Sequence, residues 1–253
     1  MNKKIYIITI IISTCLIIPS CISCMESYKI VSLFSGIGCS GIAAAVMAIF
    51  LESAALKREQ AQKQKSKNRY FYGIYAQMKM LLERLLWFEE KLQVRDFNWD
   101  LDPREYSTLN YMAFAAQGGG GENLSFQEFE KRINVLCEKY NLENIKNFSD
   151  NDVEKITKMF RILYESSEQL LIALNRLKSD ELILENEGYI SLDDNRAIAF
   201  NICLGIGLLN KKNKNYGVAI SQLMTAFVML RELGGFSDEI TIGLKGSISI
   251  DEI

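Results

Sequence analysis

Gly36-Ile37-Gly38-Cys39-Ser40-Gly41 spells GxGxxG, the spacing that lets a backbone approach a pyrophosphate at the start of a helix. That chemistry needs a helix N-terminus facing water and further strands to build a parallel sheet. These glycines instead lie inside an uncharged run, residues 30–51, and the chain beyond follows helical periodicity. A second glycine run, Gly118 to Gly121, is followed by neither Lys-Ser nor Lys-Thr, so P-loop chemistry is not expected there. The chain has no histidine, which removes Ser–His and Cys–His nucleophile pairs, HExxH zinc sites and two-His iron sites.

The phrase from Val31 to Gly38 resembles the cofactor loop of the DNA cytosine-5 methyltransferases, which would imply S-adenosylmethionine bound after a first strand. That family also needs a cysteine nucleophile after a proline. Here Pro19 and Pro103 precede Ser20 and Arg104, so the resemblance ends with the loop. Carboxylates are plentiful (Glu165, Glu168, Glu181, Glu185, Glu187, Asp193, Asp194) but fall on exposed faces or helix ends. No catalytic residue, metal site or cofactor is expected. Of six cysteines, Cys15, Cys21, Cys24 and Cys39 lie in or beside apolar runs, where small soft side chains suit helix packing, and Cys137 and Cys203 read as core residues.

The same glycines serve packing better than chemistry. Ser32, Gly36, Ser40, Ala44 and Ala48 follow a four-residue step, a ridge of small side chains with Gly41 and Ala45 on the neighbouring row. Such ridges let helix backbones approach closely in lipid, against another span of the chain or a second copy.

Residues 5–24 and 30–51 contain no charge, and each reaches the about 20 residues that cross a bilayer as a helix. The short link 25–29 suits a tight hairpin. Lys3 and Lys4 precede the first run, and Lys57, Arg58, Lys63, Lys65, Lys67 and Arg69 come after the second. Cation excess marks the cytoplasmic flank, so both termini are expected inside. The first run also has the shape of a secretory signal ending at a lipid-modified Cys21, although Pro19 stands where a small residue is usual.

After a basic stalk, Phe71, Ile74, Tyr75, Met78, Leu81, Leu82, Leu85, Phe88 and Leu92 mark one face of an amphipathic helix. Asp102-Pro103 with Glu105, and Ser125 with Glu128, read as helix starts. The second should carry Phe126, Phe129, Ile133, Leu136 and Cys137 inward. A helix from near Asn151 carries a heptad seam of Val153, Ile156, Phe160, Leu163, Ser167, Leu170, Leu174 and Leu177. Stretches 193–209 and 216–233 are apolar helices too short and polar for confident spans, which favours a core hairpin. The tail 240–250 alternates as a β-hairpin or a strand with no obvious sheet to join.

The expected architecture is all-α: a two-helix transmembrane hairpin (1–52), a basic stalk (53–69), a cytoplasmic helical bundle (70–235) and an extended tail (236–253). With 29 basic and 31 acidic residues, nucleic acid is not an expected partner. The expected partners are the lipid bilayer, a cytoplasmic protein and, through ridge or seam, a second copy. The expected place is the cell (inner) membrane, multi-pass. The function expected is contact-based anchoring or regulation. The alternative is a two-span effector, of the stress or phage-defence kind, that oligomerises and perturbs the membrane. An enzyme is the least favoured class.

Overall fold

The structure is a computed structural model that describes residues 3–21, 28–94, 97–99, 122–188, 190–210 and 214–242. Helix accounts for 84% of them, with one small two-stranded sheet. The helix start expected at Asp102 and the glycine run 118–121 lie outside the described residues, as do Cys24 and most of the 25–29 link. The chain divides into two compact units, Met1–Lys63 and Gln64–Ile253, and the division falls within the stretch expected to be a stalk.

In the first unit, α1 (Lys3–Cys21) runs beside the first part of α2 (Tyr28–Lys91). The pairing inverts the usual order of a water-soluble protein. Small residues face inward, with Ser13 and Ala45 only 5% and 4% exposed. Ile7, Ile11, Met47, Phe50 and Leu51 point outward, each more than half exposed. Among the described residues, one helix is long and apolar enough to cross a membrane, with a mean hydropathy of 1.8 in its most apolar part. It is α2, whereas α1 contributes the shorter apolar stretch Tyr6–Ile18.

The second unit is held by the amphipathic faces of its helices. The later turns of α2 bury Phe71, Ile74, Tyr75, Met78, Leu81, Leu82, Leu85 and Phe88, the face that the three-and-four spacing predicts, and Leu92 packs at its margin. Next come β1 (Glu122–Ser125) and α3 (Phe126–Lys139). Ser125 caps α3 by accepting the Glu128 N–H at 3.2 Å, and Phe126, Phe129, Ile133 and Leu136 go into the core with Cys137 half-buried. The short α4 (Leu142–Ile145) leads to α5 (Asp150–Ser166), whose cap is Ser149.

A single helix is expected across the seam, but the structure breaks it at Ser167 into α5 and α6 (Glu168–Ser179). The Ser167 N–H donates to the Tyr164 carbonyl at 3.0 Å, and its hydroxyl donates to the same oxygen. A serine side chain that competes for backbone acceptors in this way bends or ends a helix. After α7 (Glu181–Asn186), α8 (Leu192–Leu209) and α9 (Tyr216–Gly234) form the most extensive helix pair, and α9 also packs on α3. Gly205 permits the first contact, since a β-carbon there would meet the Leu223 side chain and the Ala219 carbonyl. Ile198, Ile202, Ile206, Leu223, Phe227 and Leu230 are buried in this hairpin.

β2 (Glu239–Ile242) pairs antiparallel with β1, placing Leu124 opposite Ile240 and Glu122 opposite Ile242. This corrects the expectation of a strand without a sheet: its partner lies far upstream, and residues 243–250 lie outside those described. The join is fastened by Arg231, which pairs with Asp238 and lies 4.2 Å above the Phe126 ring.

Candidate functional site

The small residues of α2 divide into two rows with different surroundings. Gly38, Gly41 and Ala45 face α1. A β-carbon on Gly38 would collide with the Ile17 side chain and the Ser13 carbonyl, and one on Gly41 would collide with the Ser13 hydroxyl. At the open end of the pair Tyr6 hydrogen-bonds Glu52. The ridge at four-residue spacing is the other row: Ser32, Gly36, Ser40 and Ala44 are exposed and Ala48 is half-exposed. Nothing approaches within 4 Å of a β-carbon built on Gly36. Ser40 turns its hydroxyl back to the Gly36 carbonyl at 2.8 Å, so the ridge is smooth and its polar atom is satisfied within the helix.

The seam residues Ile156, Phe160, Leu163, Leu170, Leu174 and Leu177 are buried within one chain, and Val153 is partly buried beside them. Phe160 stacks on Tyr216 with ring centroids 4.0 Å apart and planes 8° apart, which ties α5 to the start of α9.

One cluster of titratable groups in the second unit ties its helices together. Tyr140, fully buried, and Lys139 both donate to the Glu89 carboxylate. Burial, with the Glu89 charge second, pushes the Tyr140 phenol far above its ordinary value and keeps it a donor. Burial also pushes the Cys137 thiol up to about 11, so it carries little of the thiolate that a nucleophile needs. Among the described residues no group of three or more cysteine and carboxylate side chains is placed to hold a metal ion.

One open cleft in this unit lies between α2, α6 and the α7 segment, with a volume of about 490 Å³. Ile74, Ala173 and Leu177 supply its apolar surface, Arg69 and Arg176 its cations, and Asp180 and Glu187 its carboxylates. Sequence reasoning misses it because its walls come from segments a hundred residues apart. The one local signal is Gly73, a glycine set inside an otherwise regular amphipathic helix. No protein-family model, curated protein or solved structure matches the chain.

Proposed function

We propose that the chain is a two-span membrane protein whose N-terminal hairpin anchors a helical domain at the cytoplasmic face, where it works by contact with another protein. The observation that supports this most is the inside-out packing of the first unit, with Ser13, Gly38, Gly41 and Ala45 inward and isoleucines, Phe50 and Leu51 outward. In water, such a sheath of large apolar side chains is a liability. In lipid it costs nothing, and close backbone approach becomes the main source of helix association. The basic residues after α2's apolar part, Lys57 to Arg69, favour the cytoplasmic side for the remainder of the chain.

A reporter fused after Ile253 tests the orientation: a cytoplasmic marker should be active there and an exported enzyme silent. Crosslinking in native membranes tests the mode of action. A partner captured through residues 64–253 supports it, and capture of nothing at all contradicts it.

A second reading, a two-span effector that assembles and perturbs the bilayer, draws on the uncovered ridge of Ser32, Gly36, Ser40 and Ala44. Its test is leakage from liposomes that carry the purified protein. Leakage lost on Gly36→Leu, with insertion retained, would favour it over a passive anchor.

A further inference from the structure

Gly73 sits in the body of α2, where glycine costs about 1 kcal/mol relative to alanine. Of the other helical glycines in this unit, Gly205 admits Leu223 and Gly217 admits the Cys137 carbonyl, whereas Gly207 faces open space. Gly73 has no packing reason either, because nothing lies within 4 Å of a β-carbon built on it. The space it leaves open is the cleft itself.

Arg69, one turn before Gly73, and Arg176 on α6 line that space from two helices. Among the described residues neither takes part in an ion pair, although Lys79, Arg132, Arg161 and Arg231 do. Two guanidinium groups on one cleft present forked donors that match a phosphate. Asp180 and Glu187 add acceptors, which suit a ligand with hydroxyl or amino donors better than a bare anion. Ala173, backed by the buried Ile74 and Leu177, offers a small apolar floor for its body, and about 490 Å³ is within the size range of small-molecule pockets. We propose that this cleft binds a nucleoside phosphate, with the phosphate on Arg69 and Arg176 and the sugar or base donors on Asp180 and Glu187. This inference stands independently of the membrane reading.

Isothermal titration of the full chain in detergent micelles with AMP and ATP tests it, with adenosine and inorganic phosphate as partial ligands. At least one nucleotide should bind more tightly than either partial ligand. Arg69→Gln and Arg176→Gln should each weaken it roughly tenfold or more, the loss of a charge-assisted hydrogen bond. Gly73→Leu should abolish binding without lowering the melting temperature, since it fills the cleft and improves the helix. Lys57→Gln and Lys65→Gln, basic positions outside the cleft, should bind as the parent does. The proposal is overturned if neither nucleotide binds at millimolar concentration, if phosphate alone binds as well, or if the folded Gly73→Leu chain retains full affinity.

Discussion

Ser13 of α1 occupies the space that a β-carbon on Gly41 of α2 would need, so the two helices meet at backbone distance along the Gly38, Gly41 and Ala45 row. The contact depends on residue 41 having no side chain. Close approach is therefore a property of this row rather than of the more regular ridge beside it.

Gly41→Leu should force the helices apart and destabilise the hairpin by about 1–3 kcal/mol, the usual cost of overpacking. Gly36→Leu should leave it unchanged, because the added side chain meets open space. Steric-trapping or denaturant titration of the two variants in micelles measures the difference. Equal losses would mean that α1 lies on the ridge instead.

Leu170 and Leu174 are each 1% exposed within a single chain. Replacing either by alanine should cost about 2–5 kcal/mol through the cavity left behind. Ile172, on the same helix but 38% exposed, should cost within about 0.5 kcal/mol on the same change. Thermal unfolding at several protein concentrations checks both points. A midpoint that rises with concentration and loses that dependence in Leu174→Ala would show a seam shared between copies.

Burial pushes the Glu83 carboxyl above its ordinary value, while Lys79, 3.3 Å away, and Arg84 pull it back, and Tyr75 senses its charge. A folded-state carboxyl pKa raised above the unfolded value means that the folded chain holds the proton longer. Stability then falls as pH rises from the unfolded value, 4.5, through the folded one. Glu83→Gln should be more stable than the parent at neutral pH, with the gain fading as pH drops below that window. Melting temperatures of both chains across the acid-to-neutral range decide it. A variant less stable at neutral pH would show that the Lys79 pair outweighs the desolvation.

Legibility in the sequence tracks how local each signal is. The α2 face from Phe71 to Phe88 and the Ser125 cap of α3 depend on spacing within a few turns, and they appear where the pattern puts them. The break at Ser167 was hidden because a serine fits a heptad pattern until its hydroxyl finds the Tyr164 carbonyl. The β1–β2 pairing joins segments that no local pattern links, and the Arg69–Arg176 cleft exists only once α2 and α6 are adjacent. Periodicity marks two small-residue rows in α2 without saying which helix each meets; Ser13 and Ile17 of α1 lie against the Gly38–Gly41 row, and the four-residue ridge stays exposed.

The most direct test of the membrane reading uses the chain's own cysteines. Cys15 and Cys39 project from the outer surface of the first unit, and Cys203, expected in the core, instead lies exposed on the second. In single-cysteine versions of the full chain, a membrane-impermeant maleimide should label Cys203 only when the cytoplasmic face is open to it. Cys15 and Cys39 should stay unlabelled from either side until detergent is added, because lipid covers them. Labelling of Cys15 or Cys39 in intact membranes, or recovery of the chain in the soluble fraction, would contradict the hairpin.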